Sequence, residues 1–179
     1  MKVINILYIF SICLFLISCS KDYVKESVIN EKSLEMQVLE AYQEGKASLE
    51  SGDVLFAAQK FNEAEILFPQ SEWAPKSALM AAYSYYIQDY YLDAEAELLR
   101  FIKVYPRHKN LDYAYYLLGI TYFEQIVDEK KDLQSILSAK KNFLILKNNF
   151  SSTEYALDSE FKLGLIDDIL ASKEIYIGR

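Results

Sequence analysis

The stretch that decides the fold is AEAELLRFIKVYP, residues 94–106. Its first alanine is followed, at steps of four, three and five residues, by two apolar residues and a proline. Residues 57–69, AAQKFNEAEILFP, repeat these steps, and residues 139–151 keep them with Ser151 in the place of the proline. Steps of three and four residues place side chains on one face of a helix, and a proline beyond the last apolar position ends it. The recurrence therefore predicts stacked helical units that bury their apolar faces against one another.

Apolar spacing and turn residues on both sides of this pattern predict seven helices. Ser33 is a suitable N-cap for the first helix, and Gly52 can adopt the positive φ that ends it. Pro75 suits the first turn of the third helix. The predicted helices cover about residues 33–50, 54–68, 75–87, 91–105, 111–126, 134–149 and 153–171.

These helix pairs resemble tetratricopeptide repeats. The resemblance implies an all-α domain over residues 33–179, folded as a right-handed superhelix of helix hairpins with three repeats and the start of a fourth. A charged insertion at about residues 127–133, interpreted as a solvated loop, lengthens the third repeat. The repeats cover about residues 33–71, 72–108, 109–152 and, in part, 153–179. In this family a small residue in each first helix allows the partner helix to approach closely, and the matching positions are Gly45, Ala82, Gly119 and Gly164.

The first 18 residues have the features of a lipoprotein signal peptide. The apolar run at residues 4–16 is short for a membrane span. It ends in Leu-Ile-Ser-Cys, which resembles the cleavage site of bacterial lipoproteins, although an ordinary signal peptide with a cysteine nearby is the alternative. Residues 19–32 would then comprise a lipidated Cys19 and a polar tether, and Ser20 favours the outer membrane by the same resemblance. Two or more acyl chains, such as palmitate, anchor a protein stably to a membrane surface.

Composition narrows the classes of function. A net charge of −7 disfavours binding to nucleic acid. The single histidine, His108, follows Pro106 in a turn, so a histidine-based metal cluster is not expected within one chain. The five glycines form no phosphate-binding loop. We therefore expect a protein without catalytic residues, metal or cofactor; a lipid-anchored enzyme is the less favoured alternative.

Aromatic residues are abundant, with 15 tyrosines and 10 phenylalanines. In tetratricopeptide folds the first helix of each repeat lines a groove, and tyrosine offers a large apolar area together with a hydroxyl. Such a groove suits an extended peptide with aromatic or aliphatic side chains. The alternative is that these tyrosines only pack between neighbouring repeats. The residues that the resemblance assigns to the groove are Tyr42, Leu79, Tyr83, Tyr86, Tyr113, Tyr116, Ile120 and Phe123.

Four segments resemble a narrower family. They are residues 82–86 (AYSYY), 100–113 (RFIKVYPRHKNLDY), 114–119 (AYYLLG) and 173–179 (KEIYIGR). Together they are similar to the BamD family, lipoproteins of the outer-membrane β-barrel assembly machine that are built from tetratricopeptide repeats.

The resemblance implies a non-catalytic, lipid-anchored subunit at the periplasmic face of the outer membrane. Its partners would be the other barrel-assembly subunits and unfolded β-barrel proteins, often recognised through a carboxy-terminal signal that ends in an aromatic residue. Family members have about five repeats, so we expect a fragment or a shortened protein that lacks most of the carboxy-terminal surface by which the family docks on the barrel subunit. The alternative is another repeat-containing envelope lipoprotein that serves as an adaptor in cell division or pilus assembly.

Overall fold

The computed structural model describes residues 32–126 and 133–177, with side chains up to Ile175. All regular elements of these residues are α-helices. Hence the all-α fold is confirmed. The helices are α1 (Leu34–Ser51), α2 (Val54–Leu67), α3 (Trp73–Tyr86), α4 (Tyr91–Val104), α5 (Leu111–Glu124), α6 (Leu133–Asn149) and α7 (Glu154–Ile177).

The seven helices predicted from the sequence are confirmed. Their ends agree within two residues, except that α7 continues to Ile177 instead of ending near residue 171. The predicted signal peptide, Cys19, the tether up to residue 31 and most of the charged insertion lie outside the described residues. Within the described ranges, no helix is both long enough and apolar enough to span a bilayer.

Local interactions set the first helix boundaries. The hydroxyl of Ser33 accepts a hydrogen bond from the backbone N–H of Met36 and caps α1. Gly52 ends α1 with φ at 87°, a conformation in which a side chain would be strained. The carboxylate of Asp53 then accepts from the N–H of Phe56 and caps α2. The predicted turn between the first two helices is thereby confirmed.

The core is a row of apolar clusters between helices that follow one another in the chain. Phe61 on α2, Phe101 on α4 and Phe143 on α6 are fully buried, and all three come from the recurring pattern. Burying an aromatic ring of this size contributes roughly 1.5–3 kcal/mol. The second helix of each hairpin thus supplies a large ring that packs against the neighbouring first helices.

Small residues let the helices of a hairpin approach closely at two of the predicted positions. A Cβ at Gly45 would come within 2.9 Å of the Phe61 ring, and a Cβ at Gly119 within 2.6 Å of the Phe143 ring. Gly164 on α7 differs, because a Cβ there would meet nothing within 4 Å. The close-packing role predicted for Gly164 is therefore wrong for the described chain, since no described helix lies across that position.

An ion pair between a buried carboxylate and a partly exposed arginine ties the first hairpin to the second. The guanidinium of Arg100 on α4 donates to both carboxylate oxygens of Glu65 on α2, at 2.7 and 2.6 Å. The hydroxyl of Tyr105 donates to the same carboxylate at 2.7 Å. The Glu65 side chain is only 9% exposed, and a buried carboxylate requires such partners to offset its loss of hydration.

Candidate functional site

Five tyrosines of the first helices of the hairpins come together in a group that we call the tyrosine strip. They are Tyr83 and Tyr86 on α3, Tyr113 and Tyr116 on α5, and Tyr155 on α7. The ring centroid of Tyr155 lies 5.4 Å from that of Tyr113 and 5.1 Å from that of Tyr116. Both separations are typical of favourable aromatic pairs. The strip therefore extends across three helices and belongs to no single repeat.

The strip is partly buried. Burial, followed by the proximity of Tyr83, Tyr155 and Tyr86, raises the pKa of Tyr113. The hydroxyl of Tyr116 donates to the carboxylate of Asp158 on α7 at 2.8 Å. Each tyrosine thus buries part of its ring against neighbours and retains some exposed surface. Such a surface can offer both apolar contact and hydrogen bonds to a bound chain.

Four of the eight predicted groove residues, Tyr83, Tyr86, Tyr113 and Tyr116, are in the strip. Leu79 and Ile120 are only 5% and 6% exposed, so they belong to the core and leave almost no surface for a ligand.

Tyr42 and Phe123 pack outside the strip. The ring of Tyr42 lies 5.3 Å from Phe61 and 5.0 Å from Trp73, which places it in the packing of the first hairpin against α3. Phe123 contacts Phe143 at a centroid distance of 6.4 Å, and the ammonium of Lys162 lies 5.3 Å from its ring. Tyr42 thus packs between repeats, which is the alternative to a role in the groove.

Sequence reasoning missed three residues on α7: Tyr155, Asp158 and Phe161. Tyr155 completes the strip, and Asp158 accepts the hydrogen bond from Tyr116. Phe161 is 67% exposed and follows Asp158 by three residues, on the same face of the helix. Their common spacing of three on a first helix was the signal that could have identified them, because Tyr113 and Tyr116 have the same spacing.

Carboxylates lie around the tyrosine strip. After burial, the charges of Glu124 and Asp89 raise the pKa of Tyr86. Burial and then a hydrogen bond to Asp158 raise the pKa of Tyr116. The pKa of Tyr155 is raised by burial and then by its acidic neighbours. The carboxylates that act on strip tyrosines in this way are Asp89, Asp112, Glu124, Glu154 and Asp158.

A cleft lies where α1 begins. This cleft of about 620 Å³ is lined by Met36 and Leu39 of α1 and by Phe68 and Trp73, among others. Met36 and Leu39 are exposed. The cleft offers apolar contacts to a ligand, but its aromatic residues are fewer than those of the strip.

His108 has the structural role expected of a turn residue. Its ring packs edge-on against Phe101 at 5.6 Å, and burial lowers its pKa. Its backbone N–H donates to the carbonyl of Tyr105. Within residues 32–126 and 133–177, no three or more histidine, cysteine or acidic side chains are grouped as a metal site would require.

A family model and the curated relatives of this chain identify the same family. A family model described as "YfiO: Outer membrane lipoprotein" matches residues 34–179. The chain is 38% identical over 138 residues to the outer membrane protein assembly factor BamD of Caulobacter vibrioides, covering 77% of this chain and 45% of that protein. It is 35% identical to BamD of Rickettsia prowazekii, with 77% and 55% covered. The chain thus spans about half the length of the curated relatives it matches.

Solved structures agree on the fold. The first TPR domain of Spaghetti (RPAP3), bound to the HSP90 peptide SRMEEVD, superposes with a TM-score of 0.57 at 18% identity, covering 76% of this chain and 94% of that one. The Arabidopsis OM64 TPR domain gives a TM-score of 0.56 at 15% identity, with 73% and 96% covered. At these identities the likeness concerns the fold alone, and it agrees with the tetratricopeptide fold that the resemblance of the helix pairs implies.

Proposed function

The chain belongs to the YfiO family of outer membrane lipoproteins, and on that premise we propose that it is a non-catalytic subunit of the β-barrel assembly complex. In this role it binds unfolded outer-membrane proteins before their folding and insertion. The relatives named as outer membrane protein assembly factors support the assignment to the complex. The chain spans only about half of the length of these relatives, so its partners and substrates are proposed here and are not transferred from them.

The tyrosine strip is the observation that carries the binding function. Three first helices contribute to it, so an extended polypeptide lying across α3, α5 and α7 would contact several rings at once. Tyrosine gives a large contact area and loses little side-chain entropy on binding. The strip therefore suits segments rich in aromatic and aliphatic side chains, as expected of unfolded barrel strands.

The proposed localisation is supported by the sequence ahead of the described residues. Lipid attached at Cys19 would anchor the protein at the periplasmic face of the outer membrane, and residues 20–32 would connect it to α1. The anchor keeps the strip close to the membrane where barrels insert. Labelling of cells with a radioactive fatty acid should mark the parent chain but not a Cys19→Ala variant.

A peptide-binding measurement tests the function. The probe is a fluorescent peptide copied from the last strand of an outer-membrane barrel protein, with a scrambled, charge-matched peptide for comparison. Replacing both Tyr83 and Tyr116 by alanine should weaken binding at least tenfold, because central aromatic residues dominate such interfaces. Phe56→Ala is the matched control, since Phe56 is an exposed aromatic residue on the second helix α2. Unchanged binding by the double variant, with helicity intact, would contradict the proposal.

Copurification tests the assignment to the complex. Affinity-tagged protein from cross-linked cells should carry barrel-assembly subunits. Recovery of only division or pilus proteins would instead support the adaptor function.

A further inference from the structure

We propose that two copies of this chain form a two-fold symmetric dimer through the exposed apolar residues of α6 and α7. We call this surface the α6–α7 face. It is made by Leu137 and Leu144 on α6 and by Leu157, Phe161 and Leu165 on α7. The contact uses no tyrosine of the strip, so the inference goes beyond the proposed function.

Two ion pairs mark the seam between α6 and α7 and show which residues border it. Lys140 pairs with Asp167 at 2.7 Å, and Lys147 pairs with Glu160 at 3.5 Å. Leu144 follows the first lysine by four residues and precedes the second by three, so it neighbours both on the surface of α6. The exposed side chain of Leu144 therefore lies along the seam.

The apolar residues of α7 continue this surface on the other side of the seam. Leu157 precedes Glu160 by three residues, and Phe161 follows Leu157 by four, so each neighbours the residue before it in this row. The two apolar side chains are 68% and 67% exposed. Within residues 32–126 and 133–177, α7 packs against α5 and α6 alone, so no described helix covers the row.

Charge is divided between the two helices of the face. α6 carries three lysines and no acid, a net charge of +3, whereas α7 carries six acids and two lysines, a net charge of −4. A two-fold rotation that places α6 of one copy on α7 of the other sets a basic helix against an acidic one in both contacts. Placing α7 on α7 would instead oppose two acidic helices. The face is thus complementary to a second copy in the first arrangement.

One exposed charge on each helix lies next to the apolar residues of the face. Lys141 precedes Leu144 by three residues, and Asp168 follows Leu165 by three, so each neighbours an exposed leucine. The other two lysines of α6 already pair with α7 of the same copy. Neither Lys141 nor Asp168 forms an ion pair with another described residue. These two side chains are therefore the charges that a second copy would meet.

The ion pairs also set the register of the proposed contact. Since α6 and α7 are antiparallel, the pair Lys140–Asp167 joins residues that lie at the same level. A two-fold axis parallel to the helices carries this register over to α6 of one copy and α7 of the other. Lys141 then comes within one helical turn of Asp168 of the second copy, and the symmetry forms this contact twice.

The extent of the face indicates a reversible dimer. The same register brings Leu144 within one turn of Phe161 of the second copy. Two helices side by side, the shorter of 17 residues, give a face about 25 Å long and about 20 Å wide. This is small for a specific interface, which typically buries about 800 Å² on each partner. We therefore expect a dimer that dissociates on dilution.

Sedimentation equilibrium of the full chain, in a detergent matched in density to the solvent, measures the association. We expect two chains per particle at high protein concentration and one after dilution. Phe161→Ser should weaken the association at least tenfold, because it removes the largest exposed ring of the face. Leu92→Ser is the matched control, since Leu92 is 75% exposed on α4, and it should leave the association unchanged.

Cysteine cross-linking tests the arrangement of the two copies. Lys141→Cys and Asp168→Cys are made in separate chains, which are then mixed and mildly oxidised. The mixture should form a covalent dimer, whereas either variant alone should not, because the two-fold axis separates like residues. Charge reversal gives a second readout: Lys141→Glu and Asp168→Lys should each weaken association, and a chain with both changes should recover it.

The remaining outcomes overturn the inference. A mass of one chain at every concentration does so, as does a dimer that Phe161→Ser leaves unchanged. Faster cross-linking of Asp168→Cys with itself than in the mixture would place α7 on α7 and contradict the arrangement. Cross-linking of Lys141→Cys in cells to a different protein, with the purified chain monomeric, would assign the face to that protein. None of these results alters the peptide-binding test of Tyr83 and Tyr116, so the proposed function is judged separately.

Discussion

The ring of Phe143 lies against the backbone of Gly119, so close that a Cβ at Gly119 would come within 2.6 Å of a ring carbon. Phe61 has the same relationship to Gly45, at 2.9 Å. Both rings are fully buried and cannot move aside into solvent. In the first hairpin and in the third, the two helices can therefore pack this closely only because one of them has a glycine at the contact.

Gly119→Ala should destabilise the protein by about 1–2 kcal/mol. A contact at 2.6 Å places the cost of overpacking in the upper part of its usual range of about 1–3 kcal/mol, and the gain in helix propensity offsets about 1 kcal/mol of that cost. Chemical denaturation followed by circular dichroism measures the change. Gly45→Ala should act in the same direction. A Gly119→Ala variant as stable as the parent would show that the ring of Phe143 can shift without cost.

Gly164→Ala should have the opposite effect and stabilise α7 by up to about 1 kcal/mol. Gly164 is exposed inside a helix and a Cβ there meets nothing within 4 Å, so only the gain in helix propensity remains. The same denaturation measurement, made beside Gly119→Ala, provides the comparison. A clear loss of stability would mean that some part of the chain outside the described residues lies against this position.

The Glu65–Arg100 pair should show strong energetic coupling. The hydrogen bonds to Glu65, and then those to Glu97 on the same helix, raise the pKa of Arg100 above its ordinary value. Arg100→Met should cost on the order of 2–3 kcal/mol, because it leaves a buried carboxylate without its counter-charge. The cost stays below that of a fully buried pair, since the Arg100 side chain is 39% exposed.

A double-mutant cycle tests this coupling. Adding Glu65→Leu to Arg100→Met removes the stranded carboxylate and should recover more than half of the lost stability, as replacement of buried pairs by apolar residues often does. Lys60→Met with Glu63→Leu is the control cycle, because the carboxylate of Glu63 is 45% exposed and that of Glu65 only 9%. If the changes in the free energy of unfolding caused by Glu65→Leu and Arg100→Met were simply additive, the two residues would not be coupled. Their contact would then contribute nothing to joining the hairpins.

The fold could be predicted because its determinants are local. The periodic apolar residues, Gly52 and the prolines specify where helices begin and end without reference to distant parts of the chain. The Glu65–Arg100 contact could not be predicted, since it joins residues 35 positions apart and depends on how two hairpins stack. The same limit explains the wrong prediction for Gly164. A repeat pattern gives the expected position of a small residue but not whether another helix lies across it.

The candidate site could be predicted in part. The resemblance to tetratricopeptide repeats assigns Tyr83 and Tyr116 to the groove because they lie on first helices. Leu79 and Ile120 occupy comparable helix positions, but neighbouring side chains cover them, and burial depends on those neighbours. Tyr155 is not predicted because it belongs to the last, partial repeat, although its ring packs at a tilt against two tyrosines of the preceding hairpin.

Alkaline pH should weaken the fold through tyrosines whose hydroxyls bond to carboxylates. Burial, and then a hydrogen bond from its hydroxyl to Glu95 at 2.7 Å, raise the pKa of Tyr122 above the ordinary value of about 10. The folded state therefore holds this proton more tightly than the unfolded state. The contribution of Tyr122 to stability is complete below about pH 10 and is lost as the pH rises above that value towards the pKa of the folded state.

Tyr122→Phe isolates this effect. At neutral pH the variant should lose about 1 kcal/mol with the hydrogen bond, and it should then lose less stability than the parent between about pH 9 and pH 11. Thermal unfolding midpoints across that range, together with tyrosinate absorbance, measure both quantities. Tyr90→Phe is the control, since Tyr90 is exposed at the start of α4, and its curve should run parallel to that of the parent. Parallel curves for Tyr122→Phe and the parent would contradict a role for the Tyr122–Glu95 contact, because a proton held more tightly in the folded state must produce a pH-dependent difference.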